Sequence, residues 1–194
     1  MKRFFDFVIS LFALIILSPL LAVVSLIIFI DDGPPVVFRQ TRIGKDAKPF
    51  TIYKFRTMKK NTRNTAKGEL AESGAQITKS GAFLRKTSLD ELLQLVNVLN
   101  GTMSIVGPRP LIPEEEEIHA LRKEYGVYKA RPGVTGWAQV NGRDDLDDEE
   151  KAKFDKEYVE NASLAFDIKI LFKTVAVVLK RENITEGGEK NKGE

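Results

Sequence analysis

The sequence predicts an α+β protein dominated by helices, with a re-entrant N-terminal membrane helix followed by one compact domain. Three observations predict this class: an uncharged apolar segment at residues 7–30, two short strand patterns at 36–43 and 50–57, and helical spacing of apolar residues further along the chain. A chain of 194 residues with 43% apolar content is large enough for one core plus an accessory segment, but hardly for two independent cores. We therefore expect one folded unit after the membrane helix.

The composition restricts the chemistry and the partners available to the chain. It contains no cysteine, which excludes disulfides, thiolate zinc sites and cysteine nucleophiles, so covalent chemistry must come from carboxylate, hydroxyl or amine groups. The small excess of 30 Lys and Arg over 27 Asp and Glu predicts no nucleic-acid partner. The single histidine, His119, closely follows four glutamates, a setting that does not suit a neutral base, and we interpret it as a surface helix residue.

The apolar segment at 7–30 is long enough to cross a bilayer, which requires about 20 such residues. It is too long for a signal peptide, and no small-x-small cleavage site follows it. Ser18 and Pro19 interrupt the segment, because proline removes one backbone donor and its ring clashes with the carbonyl of Ile15. We therefore predict a kink there, with the Ser18 hydroxyl as a candidate partner for the freed carbonyl.

Basic residues lie on both sides of this segment and bear on its path through the membrane. A straight span would place one of the two basic groups on the side that disfavours positive charge, whereas entry and exit on one face suits both. The charges therefore favour a re-entrant helix, with an ordinary signal anchor containing a tolerated proline as the alternative. The basic residues are Lys2 and Arg3 before the segment, and Arg39, Arg42, Lys45 and Lys48 after it.

The chain that follows the membrane segment has the pattern of a β-hairpin and then a polar loop. The strand patterns at 36–43 and 50–57 flank a turn at 44–49 that contains glycine and proline. The segment 59–73 has few apolar residues, which is typical of a surface loop or a substrate lid.

Three helices are predicted in the second half of the chain. The sequence SLDE at 88–91 has the form of a capping box, which predicts a helix that begins at Ser88 and ends at 100–101. Glutamates near the start and basic residues near the end predict a second helix from 113 to 126. The segment 166–181 places apolar residues on one helical face, which suits either an anionic membrane surface or a protein core.

The densest chemical signal is the pair of acids at the start of the first of these helices, Asp90 and Glu91. Taken alone, the pair is explained as a cap with a favourable charge in the first turn. A carboxylate that attacks phosphorus, however, needs arginines, backbone donors and usually a divalent metal to offset the repulsion between anions. Four cations of the sequence have no other evident role, and the binding of a diphosphate substrate would account for all four. These cations are Lys54, Arg56, Arg85 and Arg109.

Several sequence blocks follow one another in a fixed order along the chain. They are Lys2, Arg3 and Asp6; Ser18 and Pro19; Pro35, Val36 and Phe38 before Gln40, Arg42 and Gly44; KFRTM at 54–58; FLRKTSLDE at 83–91; GPRP at 107–110; RPGVTGWAQVNGR at 131–143; and Asp155 with Tyr158 and Val159. In these blocks the chain resembles the bacterial sugar transferases, also called monotopic phosphoglycosyl transferases. It departs from the family pattern at Leu93, Thr102 and Ala162, none of which removes a charged group on which the mechanism depends.

The resemblance implies a re-entrant helix at 1–30 and a cytoplasm-facing catalytic domain with interfacial amphipathic helices at 31–185. The tail at 186–194 lies outside the resemblance, and its composition of Gly, Glu, Lys and Asn predicts disorder. It also implies a location in the bacterial inner membrane, in contact with membrane lipids. The implied reaction is a double displacement with Mg²⁺, in which a UDP-sugar loses UMP and a polyprenol phosphate, such as undecaprenyl phosphate, receives the sugar phosphate. Such a step would initiate assembly of a capsule, exopolysaccharide, O-antigen or glycoprotein glycan.

The same resemblance implies individual roles for the acids and the cations. Asp90 would be the nucleophile, and Glu91 would bind Mg²⁺ or orient Asp90, so the two carboxylates form the predicted metal site. Arg85 and Arg109, together with Lys54 and Arg56, are the expected phosphate-binding residues. The expected nucleotide-binding residues are Arg131, Gly133, Thr135, Gly136, Gln139, Asn141 and Arg143.

Other functions remain open from the sequence alone. A basic membrane-associated nucleic-acid-binding protein would leave the apolar N terminus unexplained, and a purely structural module would use the two acids only as a cap. A hydrolase would pass the enzyme-bound phosphate to water instead of a lipid. The sequence does not identify the sugar, the glycan pathway or the oligomeric state, for which a dimer is one option. Trp137 would suit stacking on uracil, a core or a membrane interface.

Overall fold

The computed structural model of the protein describes residues 1–60, 76–142 and 145–180. Within these residues, a long N-terminal helix lies against a domain of short helices, one β-hairpin and one short parallel strand pair. The helices are α1 (Lys2–Asp32), α2 (Lys79–Lys86), α3 (Gln94–Asn100), α4 (Glu116–Glu124), α5 (Trp137–Val140), α6 (Asp148–Glu160) and α7 (Leu164–Lys180). The strands are β1 (Val37–Ile43), β2 (Pro49–Phe55), β3 (Ser104–Val106) and β4 (Gly133–Thr135).

Helix α1 is one element of 31 residues that continues through Pro19. The Ser18 hydroxyl donates to the carbonyl of Ile15 at 2.8 Å, which confirms the partner predicted for the carbonyl that proline leaves free. By length and composition the helix could cross a membrane. Large apolar side chains cover its outer surface, and Ile16, for example, is 72% exposed. A surface of this kind is typical of a contact with a membrane or with another protein.

Both ends of α1 are attached to the same folded domain. At the N-terminal end, Arg3 donates to the carbonyls of Val98 and Leu99, the latter at 2.7 Å, where the negative end of the α3 dipole favours a cation. Asp6 is buried there and accepts from the Ser104 hydroxyl at 2.9 Å and from the backbone N–H of Ile105 at 3.2 Å. At the C-terminal end, Val24 and Ile28 pack with Phe55 and Leu84 in one core cluster. The helix is therefore held along its length, not at one end only.

Replacing Asp6 with alanine should loosen this attachment. The substitution leaves the half-buried N–H of Ile105 without its acceptor, and the loss of such a partner costs up to about 1–3 kcal/mol when the donor is buried. We expect a lower unfolding midpoint for the purified full-length protein in detergent. The matched control is Asp145→Ala at an exposed site, and equal midpoints for the two variants would contradict the structural role of Asp6.

Strands β1 and β2 form the predicted hairpin, paired antiparallel from Val37 opposite Phe55 to Ile43 opposite Pro49. The register places Gln40 opposite Ile52, so that Arg42 and Lys54, two residues further along their strands, lie on the same face. The outer edge of β2 is closed by Asn97 of α3. Its amide donates to the carbonyl of Thr51 at 2.7 Å and accepts from the N–H of Tyr53 at 3.0 Å.

The parallel pair of β3 and β4 forms the centre of the domain, and the sequence patterns did not predict it. Ser104 lies opposite Gly133, and Val106 lies opposite Thr135. The backbones approach so closely that a Cβ atom added to Gly133 would lie 2.1 Å from the backbone nitrogen of Gly107. Glycine is required at this position by packing. One core cluster then surrounds Val106 with residues of α5, α6 and α7, namely Trp137, Val140, Tyr158 and Ile170.

The predicted capping box at Ser88 is wrong. Ser88 has a positive φ of 55° and makes no capping hydrogen bond, whereas an N-cap residue needs an extended backbone. Residues Leu89–Leu93 form a 3-10 helix, and the α-helix begins only at Gln94. The carboxylate of Glu91 pairs with a lysine instead of the helix start. The predicted end is confirmed, because Gly101 stops α3 in the left-handed conformation.

Three further sequence predictions have clear outcomes. Helix α4 begins at Glu116 and not at Pro113, because a turn closed by the Glu115 carboxylate and the N–H of Ile112 precedes it. His119 is half-buried and bonded to the Tyr128 hydroxyl and, at 2.8 Å, to the Ile112 carbonyl, so its interpretation as a surface residue is wrong. The loop at 59–73 lies mostly outside the described residues, and the tail at 186–194 lies wholly outside them.

Helix α7 confirms the third predicted helix. The apolar face predicted from the sequence is exposed: Ile168 by 45%, Phe172 by 75% and Val175 by 57%. The opposite side of the helix carries Asp167 and Ile170, which are buried in the domain. Leu171 of the same predicted face packs against the core cluster around Val106, so the face is open on the surface at Ile168, Phe172 and Val175 and meets the core along its edge.

Candidate active site

Asp90 and Glu91 lie in the 3-10 helix Leu89–Leu93, between the end of α2 and the start of α3. This helix packs on β2, which brings the two adjacent carboxylates against the hairpin. The Glu91 carboxylate accepts from the Lys54 ammonium at 2.7 Å, and a guanidinium nitrogen of Arg109 lies 3.6 Å from the same oxygen. Two distant parts of the chain thus supply cations to one carboxylate.

The carboxyl group of Asp90 is strongly affected by its surroundings. Burial and the neighbouring charge of Glu91 raise its pKa to about 6, while the positive charges of Lys54 and Arg85 partly oppose that rise. A carboxylate with a raised pKa is a more basic nucleophile, yet it is still mostly ionised at neutral pH. Perturbed carboxyl groups of this kind are typical of reacting groups in enzymes.

The pH dependence of activity should show the ionisation of Asp90. Because its pKa is raised to about 6, the ionised carboxylate is present above that pH and is lost as the pH falls through it. We expect kcat/KM to fall about tenfold per pH unit on the acidic side. A bound divalent cation would move this decline to lower pH, since it favours the carboxylate.

The Arg85→Gln variant provides the check on this assignment. Arg85 lowers the pKa of Asp90, so removing its charge should move the acidic decline to higher pH. A profile that keeps the same midpoint in this variant, measured at the same metal concentration, would show that another group controls the decline.

Three of the four predicted phosphate-binding cations surround the two acids. Lys54 and Arg109 contact Glu91, and Arg85, whose Nε donates to the Thr57 hydroxyl at 2.8 Å, acts electrostatically on Asp90. Arg56 is engaged elsewhere. It is buried at the C-terminal end of α1, where it lies 3.0 Å from the Asp32 carboxylate and donates to the Gly33 carbonyl at 2.7 Å.

Arg42 belongs to this site, although the sequence did not single it out as a phosphate-binding residue. Its guanidinium donates to the Gln40 side chain at 2.6 Å and to the Pro110 carbonyl at 3.3 Å, in the loop that carries Arg109. Burial and the nearby charge of Arg109 lower its pKa to about 10. The alternation of side chains along β1, which puts Arg42 on the face of Lys54, was the available signal.

Most residues of the predicted nucleotide-binding segment make their contacts within the domain. Within the described residues, Gly133 and its neighbour Val134 line a small pocket next to Arg42 and Arg109. Gly136 packs against the Gly107 carbonyl, so the lack of a side chain at Gly136 also allows these two backbone segments to approach closely. The other predicted side chains bond within the domain: Arg131 to Gly101, Thr135 to Thr174, Gln139 to Val134, and Asn141 to Trp137 and Lys173. Arg143 lies outside the described residues.

Trp137 lies in the core and not in a ligand pocket. It is 8% exposed, and its indole N–H donates to the Glu157 carboxylate at 2.8 Å. The ammonium groups of Lys169 and Lys173 lie over its ring at 5.1 and 4.7 Å from the centroid. Of the three roles considered for this residue, the core role is confirmed.

Asp90 and Glu91 could hold a magnesium ion only together with ligands from outside the protein. Across the described residues, no group of three or more His, Cys, Asp or Glu side chains could hold a metal by itself. Mg²⁺ commonly uses one or two protein carboxylates together with waters and substrate phosphates. Asp90 and Glu91 supply that number of ligands, beside cations that suit phosphate oxygens.

A buried ion pair lies behind the loop that carries Arg109. Arg122 of α4 pairs with Asp155 of α6 at 2.5 Å, and their side chains are 4% and 1% exposed. Arg122 also donates to the backbone carbonyl of Arg109 at 2.8 Å. Two helices thereby hold the main chain of a residue whose side chain faces Glu91.

Comparisons with known proteins agree on one family. A family model described as bacterial sugar transferase matches residues 1–181. UDP-glucose:undecaprenyl-phosphate glucose-1-phosphate transferase of Escherichia coli is 43% identical over 182 residues, which cover 90% of this chain and 39% of that protein. Undecaprenyl-phosphate galactose phosphotransferase of Salmonella typhimurium is 43% identical, with 94% of this chain and 41% of that protein covered.

A shorter relative matches almost from end to end. The sugar transferase EpsL of Bacillus subtilis is 41% identical over 186 residues, which cover 96% of this chain and 91% of that protein. The chain thus spans about two fifths of the length of the Escherichia and Salmonella relatives and nearly all of the Bacillus one.

Proposed function

Because the chain belongs to the bacterial sugar transferase family, we propose that it transfers a sugar 1-phosphate from a UDP-sugar to a polyprenol phosphate such as undecaprenyl phosphate. The observation that carries the proposal is the half-buried carboxylate of Asp90 beside Glu91, with Lys54, Arg85 and Arg109 around the pair. Relatives whose names state this activity support it. The product would be the first lipid-linked intermediate of a bacterial glycan.

The reaction proceeds in two displacements at phosphorus. In the first, a carboxylate oxygen of Asp90 forms a bond to the phosphorus that bears the sugar, and the bond from that phosphorus to the UMP oxygen breaks, so that UMP leaves with the electron pair. In the second, a phosphate oxygen of the polyprenol phosphate bonds to the same phosphorus. The aspartyl bond then breaks and returns the Asp90 carboxylate.

The residues around Asp90 offset the negative charge that meets at this centre. Lys54 and Arg109 hold Glu91 in place, and with Arg85 they supply positive charge to the phosphate oxygens. Mg²⁺ bound by Asp90 and Glu91 would neutralise charge on the diphosphate. A basic stretch that binds nucleic acid would not account for this arrangement of cations around two half-buried acids.

The attachment of α1 supports a membrane helix that enters and leaves on one face. A helix of 31 residues is about 46 Å long, enough to reach across a bilayer. Its first turns contact α3 and β3, and its last turns contact β2 and α2. A single compact domain that holds both ends suits one side of the membrane, here the cytoplasmic face of the inner membrane. The exposed apolar face of α7 would rest on the same surface.

A panel of UDP-sugars tests the proposal with purified full-length protein. We expect UMP release that depends on Mg²⁺ and on the identity of the sugar, followed by formation of lipid-linked product only when polyprenol phosphate is present. Continuous release of free sugar phosphate without the lipid would instead identify a hydrolase. No UMP release from any donor, by protein that remains folded, would reject both reactions.

A further inference from the structure

The loop that carries Arg109 begins directly after Val106, the last residue of β3, and the carbonyl of Val106 lies at a buried junction of the fold. The hydroxyl of Tyr158, on α6, lies 2.9 Å from this carbonyl, and the hydroxyl of Ser104 lies at the same distance. All three residues at the junction are about 2% exposed. A buried carbonyl needs a donor in place of water, so the two hydroxyls fix the point at which the loop leaves the strand.

Each of these hydroxyls also contacts a buried carboxylate on a helix with an exposed apolar face. The Tyr158 hydroxyl lies 2.9 Å from Asp167 of α7, and the Ser104 hydroxyl lies 2.9 Å from Asp6 of α1. The Lys2 ammonium, at the start of α1, lies 2.5 Å from the other oxygen of Asp167. One network of polar groups therefore joins the end of β3 to α1, α6 and α7.

The packing of Tyr158 holds its hydroxyl at this position. Its ring belongs to the core cluster that contains Val106 and Ile170, and it lies 5.9 Å from the ring of Phe166. Burial and the negative charge of Asp167 raise the pKa of Tyr158, so the hydroxyl keeps its proton and remains a hydrogen-bond donor. A rigid aromatic ring thus presents one fixed donor between a carboxylate and the end of β3.

The main chain of the following loop is held at further points. The N–H of Gly107 donates to the carbonyl of Thr135 at 2.9 Å, and the carbonyl of Arg109 accepts from Arg122 at 2.8 Å. Tyr158 therefore acts at one end of a short segment whose other end is held by α4. Because the Arg109 guanidinium faces the two acids, a displacement of this main chain would move a cation of the proposed active site.

We propose that Tyr158 is a positioning residue for the transfer reaction, whose hydroxyl fixes the start of the loop at 107–110 and thereby the location of the Arg109 guanidinium beside Glu91. The inference rests on the proposed function and adds to it a residue that acts through Arg109. The same hydroxyl contacts Asp167, so the attachment of α7 to the N-terminal end of α1 and the placement of Arg109 depend on one network.

The Tyr158→Phe variant tests the proposal, because it removes the hydroxyl and keeps the ring. A displacement of about 1 Å at a reacting centre can cost about 10²-fold in rate, so we expect kcat for UMP release to fall by about 10- to 100-fold. In the Arg109→Lys background, the same substitution should cost less than about twofold. Lysine already lacks the planar pair of donors that the loop positions, so the two losses should not multiply.

Hydrogen exchange gives a second measurement that requires no activity. The segment 104–110 should exchange about 2- to 10-fold faster in Tyr158→Phe, because the bond from Gly107 to Thr135 lies next to the released carbonyl. The matched control is Ile170→Val, a fully buried residue of the same core cluster. It should lower the unfolding midpoint through packing, and leave both UMP release and exchange of this segment unchanged.

Three outcomes would overturn the proposal. They are an equal loss of activity in Ile170→Val, a loss in Tyr158→Phe that multiplies fully with that of Arg109→Lys, and unchanged exchange of the segment 104–110 in Tyr158→Phe. Wild-type protein that releases no UMP from any donor would instead reject the proposed function. Faster exchange in Tyr158→Phe would then still show that the hydroxyl fixes the loop.

Discussion

Asp90→Asn should abolish transfer while leaving the protein folded. Asparagine has nearly the same shape but lacks the ionised oxygen that bonds to phosphorus, so we expect the rate of UMP release to fall by about 10³-fold or more. Burial raises the pKa of Asp90, so the neutral amide does not add a desolvation cost to the folded state. A normal unfolding midpoint with no turnover is the expected combination.

Trapping the intermediate gives a second and independent measurement. Wild-type protein incubated with donor and no acceptor should carry one sugar phosphate, located on the peptide that contains Asp90 by mass spectrometry. The Asp90→Asn variant should carry none, and the exposed-site control Asp145→Asn should be labelled like the wild type. Labelling of a different residue would remove Asp90 from its proposed role.

Arg122→Met should cause the largest loss of stability among the substitutions considered. It removes one partner of an ion pair whose side chains are 4% and 1% exposed, and leaves the Asp155 charge buried without its cation. Breaking such a pair from one side costs about 3–5 kcal/mol. The backbone carbonyl of Arg109 also loses its hydrogen bond from Arg122. We therefore expect the residual activity to show a raised KM for the UDP-sugar.

The double variant separates the buried charge from the packing. Arg122→Met combined with Asp155→Leu removes both charges and should recover much of the lost unfolding free energy. The exposed pair of Lys153 and Glu149, 2.7 Å apart, is the control, and its removal should leave stability unchanged because solvent screens such pairs. A double variant less stable than Arg122→Met alone would show that packing around the pair, and not unpaired charge, dominates.

Local patterns predicted the parts of the fold that local chemistry determines. The hairpin follows from alternating side chains around a turn with Gly44 and Pro49, and the end of α3 follows from Gly101, which adopts the left-handed conformation there. The bond from Ser18 to Ile15 could also be predicted, because the proline that frees the carbonyl and the hydroxyl that accommodates it are neighbours in the chain.

The start of the helix at Ser88 could not be predicted locally, because tertiary contacts decide it. The Glu91 carboxylate could accept a hydrogen bond from a backbone N–H at the helix start or from the ammonium of Lys54. It pairs with the charged group, Lys54 of β2. Arg122 and Asp155 lie 33 residues apart, and no periodicity relates them to Arg109. Strand alternation could place Arg42 on the face of Lys54, but its contact with the loop at residues 107–110 is tertiary and could not be predicted from the sequence.

The double attachment of α1 has a mechanical consequence for the proposed enzyme. A free spanning helix adapts to a thicker or thinner hydrocarbon layer by changing its tilt. Helix α1 is fixed at Arg3 and Asp6 near one end and at Val24 and Ile28 near the other, so it cannot tilt without carrying the whole domain with it. A change in bilayer thickness would therefore not by itself alter the distance between Asp90 and the lipid headgroups.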